Sequence, residues 1–324
     1  MACGPPAAPV MPAPAATAPA PAAPEVPVES VTLAYPSPSI SWLPVLVADR
    51  LGYFTEERLS PQFVQMTPAN NVLAALAGDV DVVLGLTSIA QAAVQQDAPV
   101  RCLLALVVRP QHRLVVRPEV QDFADLRGKV VAINSRNDLT DWEVRVLLQR
   151  HGIPLEEVSL QPIPSSPARL AGLDTGQFAG TILASPFDLQ AEAQGYRELG
   201  QISRDLEIAW MGLAATVRNL TERRDYLRRV LRAAIRGIAY TRTQRDEVLR
   251  IMEDALGLEP AAAAASYALG LATWSEDGTA SDEAWRNTLE IARLAGPLPA
   301  DVPLERYVDR TLLEEARQSL RAGR

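Results

Sequence analysis

Four short segments of the sequence are rich in hydroxyl and amide side chains, and each follows a run of residues with the pattern of a β-strand. They cover residues 37–42, 87–88, 134–140 and 184–188. Hydroxyl groups, together with backbone N–H groups at the start of a helix, suit an oxyanion such as a carboxylate or a sulfonate. The same residue types also form turns and helix caps, so a binding role and a structural role are both open.

Residues that could carry other chemistry are scarce. The chain has two cysteines, Cys3 and Cys102, and two histidines, His112 and His151, in no spacing that would hold a metal. No Ser/His/Asp or Cys/His pair is indicated either. We therefore predict no metal, no cofactor and no catalytic residue. Cys102 lies in an apolar run, and we expect it to be buried.

Composition narrows the class of partner. The chain has 324 residues, enough for two lobes, and a net charge of −8 with a pI near 5.0. An acidic protein lacks the basic face that neutralises phosphates, so nucleic acid is not expected as a partner. Attachment to an anionic membrane through a polybasic patch is excluded for the same reason. The sequence has no uninterrupted run of about 18 apolar residues, so no transmembrane helix is predicted.

The N-terminal segment, residues 1–28, is predicted to be a disordered tether, because it contains nine prolines and cannot bury a core. The chain opens Met1-Ala2-Cys3-Gly4. A cysteine between small residues, followed by a Pro/Ala spacer, resembles the start of a mature bacterial lipoprotein, in which that cysteine is acylated. Cys3 is therefore a candidate lipid anchor. The alternative is an unmodified cysteine in a disordered tail.

Strand and helix patterns alternate from residue 30 to 108 and again from residue 113 to 195. This alternation with short links predicts an α/β fold with parallel strands and helices on both faces. After residue 217 the spacing is helical, and we expect these C-terminal helices to pack on the first unit. Local signals also predict helix N-caps. The residues are Ser88, Thr140 (in a capping box with Glu143), Ser166, and either Ser281 or Asp282.

Three segments in order resemble one protein family. The first spans residues 42–57 and ends Leu51-Gly52-Tyr53-Phe54-Thr55-Glu56-Glu57, the second is Leu76-Ala77-Gly78-Asp79-Val80-Asp81, and the third runs from Phe123 to Ala132. Together they are similar to the nitrate/sulfonate/taurine/thiamine-pyrimidine-precursor substrate-binding proteins of ABC importers, over about residues 30–260.

The resemblance implies a two-lobe fold, that of the type II periplasmic binding proteins, in which each lobe is a mostly parallel sheet flanked by helices. It places residues 30–109 plus 208–324 in lobe one and residues 110–207 in lobe two. Ligands of such folds bind beyond the carboxyl ends of the strands, so the four polar segments would face the cleft. Arg109 and Arg136 could add charge there or could be solvated. The implied ligand contacts are Ser37, Ser39, Ser41, Trp42, Thr87, Ser88, Asn134, Ser135, Asn137, Thr140, Ser185 and Phe187.

The resemblance also implies a function and partners. We expect a monomeric solute-binding protein that captures a small polar or anionic molecule and passes it to the permease subunits of an ABC importer. The ligand would belong to the sulfonate, nitrate, carboxylate or pyrimidine-precursor class. The protein would be extracytoplasmic, and it would be held at the membrane if Cys3 is acylated. The alternative is an enzyme of the same fold in pyrimidine-precursor or menaquinone-precursor biosynthesis.

Overall fold

The computed structural model describes Met1 and residues 27–202, 206–294 and 296–323. Within these ranges the chain forms ten β-strands in two five-stranded sheets, with thirteen α-helices around them. Most of the predicted tether, including Cys3, lies outside the described residues. Cys102 is completely buried and unpaired, as the apolar run predicted.

The first sheet has the strand order β2-β1-β3-β10-β4. β1 pairs in parallel with β2 and β3, whereas β10 is antiparallel to both β3 and β4. Four strands therefore run in one direction and only β10 opposes them. The bounds are β1 Glu29–Tyr35, β2 Leu59–Gln65, β3 Val82–Leu84, β4 Val100–Val107 and β10 Met211–Thr216.

The second sheet repeats this arrangement in the order β7-β6-β8-β5-β9. β6 is parallel to β7 and β8, while β5 is antiparallel to β8 and β9. In each sheet the opposed strand is the one at which the chain enters from the other sheet. The predicted fold class, with two mostly parallel sheets, is confirmed. The bounds are β5 His112–Val116, β6 Val130–Ile133, β7 Ser159–Pro162, β8 Gly180–Ala184 and β9 Arg197–Gly200.

Helices cover both sheets, and those that follow β10 pack on the helices of the first sheet, as predicted. α9 lies against α1 and α2, α12 lies against α4, and α13, which the sequence did not predict, lies against α9. The bounds are α1 Leu43–Arg50, α2 Tyr53–Glu56, α3 Pro68–Ala77, α4 Leu86–Gln95, α5 Leu139–Arg150, α6 Ser166–Asp174, α7 Phe187–Ala193, α8 Val217–Glu222, α9 Arg224–Thr243, α10 Arg245–Leu256, α11 Pro260–Thr273, α12 Asp282–Ala292 and α13 Thr311–Arg321.

In the described part of the chain, no single helix has the length and apolar composition needed to cross a membrane. Only α10 and α11 taken together reach that composition, and they meet at an angle of 115°. Gly257 ends α10 in the left-handed region, with φ of 65°, which allows this sharp turn.

Two connections join the sheets. The chain leaves the first sheet after Val107 and returns to it at Met211. The connections lie side by side, because the Ile208 N–H donates to the Val108 carbonyl at 2.9 Å and the Arg109 guanidinium pairs with Glu207 at 2.9 Å.

Two consecutive residues of the connection that leaves the first sheet, Gln111 and His112, contact opposite layers. The buried Gln111 amide donates to Thr273 on α11 at 2.6 Å and accepts from the Ser41 hydroxyl at 2.9 Å, so it is tied to the first sheet's layer. The next residue, His112, begins β5 and contacts Glu143 on α5, in the second layer. The chain thus passes from the first layer to the second between residues 111 and 112.

Three of the predicted helix caps differ from the structure. α5 begins two residues earlier than the capping box would set it, with Asp138 as N-cap accepting from the Asp141 N–H. Glu143 is buried against His112 and so does not reach back to Thr140. α4 starts at Leu86, so that Gly85 rather than Ser88 stands at the cap position. Ser165 rather than Ser166 caps α6. At α12 the cap is Ser281, one of the two predicted residues.

A close approach of two helices gives the first prediction. A Cβ on Gly237 in α9 would lie 2.1 Å from the Pro44 carbonyl oxygen and 2.9 Å from the Ala48 Cβ in α1. Alanine is the better helix former by about 1 kcal/mol. We nevertheless expect Gly237→Ala to destabilise the protein by roughly 1–3 kcal/mol, because the helices would have to separate. Urea unfolding measures this difference, with Ala239→Gly, an exposed site on the same helix, as the propensity control. A more stable Gly237→Ala variant would contradict the packing argument.

Candidate functional site

One cavity of about 620 Å³ lies where the carboxyl ends of the two sheets face each other. Segments that follow β1, β2 and β3 form one side, and segments that follow β6, β7 and β8 form the other. This volume is in the range typical of small-molecule sites. Apolar and aromatic groups contribute much of the wall, with polar groups placed between them. They include Pro36, Pro38, Val72, Leu73, Leu84, Leu139, Phe187, Trp210, Met211 and Ile291.

Ten of the twelve residues predicted to contact a ligand line this cavity. Their location agrees with the rule that ligands bind beyond the carboxyl ends of strands. Contact with a ligand remains a prediction for all of them. The ten are Ser37, Ser39, Ser41, Thr87, Ser88, Asn134, Ser135, Asn137, Thr140 and Phe187.

Trp42 does not line the cavity, contrary to the sequence-based expectation. It belongs to the core of the first layer, where it packs against Tyr35 and Phe63 with ring centroids 4.6 and 5.5 Å away. Its indole N–H donates to the Ser37 carbonyl at 3.0 Å. The burial of a large aromatic surface outweighs exposure to the cleft, so Trp42 supports the first polar segment from behind.

Ser185 is also absent from the wall, although Ala184 and Phe187 beside it are present. Its hydroxyl donates to the buried carboxylate of Asp188 at 2.6 Å, and that carboxylate lies 3.1 Å from Arg113. Burial raises the pKa of Asp188, while Ser185 and Arg113 lower it. Ser185 therefore serves the internal structure of the fourth segment.

The third segment is held by its own side chains. Asp138 accepts from the Asn134 amide at 2.8 Å and from the Thr140 hydroxyl at 2.7 Å. The Thr140 hydroxyl accepts in turn from the Asn134 backbone N–H at 2.9 Å. Asn137 has a φ of 61°, and its N–H donates to Asp141. The structural role that the sequence left open is thus present in this segment, and it pre-organises the wall.

Arg169 is a cavity residue that sequence reasoning missed. It lies on α6 and is 3 % exposed. Its guanidinium donates to the Ile163 carbonyl at 2.7 Å and to the Ser166 hydroxyl at 2.9 Å, whereas its Nε has no partner. The only local signal was its position in the first turn of a helix that follows a strand, next to two serines.

The charge of Arg169 has no paired carboxylate. Within the described residues, no Asp or Glu oxygen lies within 4.0 Å of this guanidinium, whereas most other arginines form such pairs. Burial lowers the pKa of Arg169 to about 10, and Asp138, the carboxylate that acts on it from further away, raises it in part. Asp138 is itself occupied by three donors. The structure therefore presents a buried cation at the cavity wall that no carboxylate of the described residues contacts.

His112 and Glu143 form a second feature that the sequence did not indicate. His112 lines the cavity, and its Nδ1 lies 2.8 Å from a Glu143 carboxylate oxygen, with both side chains almost completely buried. Burial raises the pKa of Glu143, and the adjacent imidazole lowers it. The other face of the imidazole is near Trp210, with ring centroids 5.1 Å apart.

No group of three or more His, Cys, Asp or Glu side chains is arranged to hold a metal ion anywhere in the described ranges. The polar groups that line the cavity are hydroxyls, amides, one imidazole, two guanidinium groups (Arg136 and Arg169) and one carboxylate, that of Asp138, which already accepts from three donors of the protein. Such a set binds a polar or anionic organic molecule better than a cation.

Two sheets joined by two connections, with a cavity between their carboxyl ends, define a periplasmic-binding-protein fold. The chain belongs to the NMT1/THI5-like family, whose profile matches residues 39–248. A curated relative, the riboflavin-binding protein RibY of Chloroflexus aurantiacus, is 27% identical, and the alignment covers 94% of this chain and 91% of RibY.

Solved structures share the fold at low identity. One is the putative sulfonate ABC transporter, periplasmic sulfonate-binding protein SsuA from Methylobacillus flagellatus. It superposes on this chain with a TM-score of 0.69 at 13% identity, and the superposition covers 91% of this chain and 96% of that chain. The desulfurization enzyme DszB superposes with a TM-score of 0.66 at 16% identity, covering 91% of this chain and 100% of its own. The fold therefore occurs in binding proteins and in an enzyme, and the site has to decide between these functions.

The placement of two tryptophans gives the second prediction. Trp210 is half-buried on the cavity wall, and Trp42 is 6 % exposed in the core. Trp210→Phe should lower the Stern–Volmer constant for acrylamide quenching of the ligand-free protein, because an accessible fluorophore is removed. Trp42→Phe should raise it slightly, because a protected fluorophore is removed. A lower constant for Trp42→Phe would show that this side chain reaches the cleft.

Proposed function

We propose that the protein is an extracytoplasmic solute-binding protein of an ABC importer, which holds a small anionic molecule in the cavity between its sheets. The observation that carries this proposal is the buried guanidinium of Arg169, which faces the cavity without a carboxylate partner. Burying a charge is costly unless it is paired and hydrogen-bonded. An anionic ligand would supply that pair.

The ligand classes that fit are sulfonates, nitrate, carboxylates and anionic pyrimidine precursors. Each presents oxygen atoms that accept from a guanidinium, and charge-assisted bonds of this kind are the stronger ones. The Ser166 hydroxyl lies on the same wall as Arg169, and the hydroxyls of the first two polar segments line the opposite wall. Both sets can donate to the remaining oxygens. The relatives named above as sulfonate-binding and riboflavin-binding support a role in binding a small organic molecule.

The division into lobes is part of the proposal. Residues 30–109 plus 208–324 would form lobe one and residues 110–207 lobe two, with the 1–28 segment as a tether. The anchors of Gln111 and His112 on opposite layers favour bending between these two residues. A ligand that touches both walls would then hold the lobes closed.

The remaining partners follow from the importer role. The protein would deliver its ligand to permease subunits and act as a monomer. Acylation of Cys3, which lies outside the described residues, would keep it at the outer face of the membrane. The tether would give it reach, at about 3 Å per residue for an extended Pro-rich chain.

One observation favours the enzymatic alternative. His112, held at Nδ1 by Glu143, is a buried imidazole on the cavity wall, and such an oriented pair can act as a general base. The desulfurization enzyme DszB shows that the fold is compatible with catalysis. Among the described residues, no nucleophilic side chain is hydrogen-bonded to the His112 imidazole. Binding therefore remains the better-supported function.

The third prediction tests the anion site. A panel of nitrate, ethanesulfonate, simple carboxylates and pyrimidine phosphates is screened by thermal shift, since a ligand at 100 times its Kd stabilises the native state by about 2.7 kcal/mol. Arg169→Met should weaken binding of the stabilising anion on the order of 100-fold, about 2.7 kcal/mol, as measured by calorimetry. Arg169→Lys, which keeps the charge, should lose less.

The matched control is Arg218→Met, because Arg218 lies on α8 with 77% of its side chain exposed and is not on the cavity wall. It should bind as the wild type does. Undiminished binding to Arg169→Met would remove the guanidinium from the site. Failure of every anion to stabilise the wild type would refute the proposed function.

The fourth prediction separates binding from catalysis. The stabilising anion should be recovered unchanged by mass spectrometry after hours with the protein, and its addition should reduce the radius of gyration in solution scattering. A chemically altered product that disappears in His112→Gln would establish the enzymatic alternative. Stabilisation without compaction would keep the binding role and exclude closure of the lobes.

A further inference from the structure

Asn71, in the first half of α3, is buried on the cavity wall. Its side-chain amide has no hydrogen-bond partner among the described residues. The residue is 1 % exposed, and its Oδ1 is enclosed without a partner. Its Nδ2 makes no hydrogen bond to any of the described residues either. Asn70, its neighbour on the same helix, is exposed to solvent.

Other buried amides near the cavity are satisfied. Gln111 has bonds at both ends of its amide, to Thr273 and Ser41, and the Asn134 amide donates to Asp138. Buried polar groups in folded proteins are nearly always paired, and an unpaired one destabilises the fold. Asn71 is therefore a residue whose partner is missing when the cavity holds no ligand.

We infer that Asn71 is a specificity-determining residue that recognises an amide-type edge of the ligand, an N–H next to a carbonyl oxygen or a ring nitrogen. This inference rests on the proposed binding function and narrows its ligand class. A carboxamide carries one acceptor and two donor hydrogens side by side, so it can make two parallel bonds to such an edge. Asparagine reads the edge of adenine in the same way.

The position of Asn71 relative to Arg169 defines the rest of the ligand. α3 packs on the first sheet, and α6 packs on β8 of the second sheet, so the two side chains belong to opposite walls. Trp210 and Phe187 line the space with aromatic surface. The fitting ligand is an anion at the Arg169 wall whose body ends in a lactam, imide or similar edge at the Asn71 wall.

The first arm of the test uses the ligand-free protein. Asn71→Leu has nearly the same shape and removes the unpaired amide, so we expect it to raise the Tm by about 2–4 °C. Asn70→Leu is the matched control, because it makes the same change on the solvent side of the helix, and it should leave the Tm within error. A lower Tm for Asn71→Leu would show that the amide is already satisfied, and would overturn the inference.

The second arm uses matched probes in calorimetry. Orotate, pyroglutamate and flavin mononucleotide each combine an anionic group with an N–H beside a carbonyl, and their N-methylated analogues lack that N–H. At least one parent compound should bind the wild type about tenfold more tightly than its methylated analogue, the discrimination typical of a paired hydrogen bond. Asn71→Leu and Asn71→Asp should both remove this preference. Equal binding of every parent and analogue, or no binding of any parent or of neutral uracil, would overturn the inference.

Failure of the inference and failure of the proposed function give different results. One result would refute the role of Asn71 and leave the anion site standing. Ethanesulfonate or nitrate would bind the wild type, and this binding would be lost in Arg169→Met but unchanged in Asn71→Leu. No parent probe would then bind more tightly than its methylated analogue. If no anion binds but neutral uracil does, with loss in Asn71→Leu, the edge recognition stands and the anionic ligand is refuted.

Discussion

The two adjacent connections between the sheets are the constraint on which the rest of the structure depends. Because the described part of the chain crosses at these two connections, each sheet receives one strand that opposes its neighbours, β10 in the first and β5 in the second. The remaining strands point their carboxyl ends toward the space between the sheets. The cavity, the helix termini around it and the polar segments that line it all follow from that orientation.

The cavity wall contains polar groups of two kinds. One kind is saturated by the protein itself, such as Asp138 with its three donors, and these groups give the wall a fixed shape. The other kind is buried and incompletely paired, as in Arg169 and Asn71. Residues of the second kind reduce the stability of the protein without a ligand, and a complementary ligand would remove that cost. A site selected only for stability would have replaced them.

The imidazole of His112 lies both on the cavity wall and at the point where the chain crosses between the layers. It lies at the crossing point, against Glu143 on one side and near Trp210 on the other, and it also lines the cavity. A ligand that touches His112 would contact the residue at which the chain passes from one layer to the next. The same geometry serves a binding protein that closes on its ligand and an enzyme that needs an oriented base, which is why fold alone does not decide the function.

Local signals in the sequence were sufficient for the alternation of strands and helices with parallel strands and for the burial of Cys102, because hydrophobic periodicity and turn residues act over a few positions. The two-sheet fold and the meeting of the hydroxyl-rich segments at one cavity were implied by the resemblance of three segments to a family of binding proteins. The tertiary structure decided which side chains face the cavity. Trp42 turned into the core because Tyr35 and Phe63 offered it apolar contact, and Glu143 left its predicted capping box for His112, thirty-one positions away. The isolation of Arg169 was equally invisible in the sequence, because a missing partner is a property of the surroundings in space, and burial and pairing are set by contacts between distant segments.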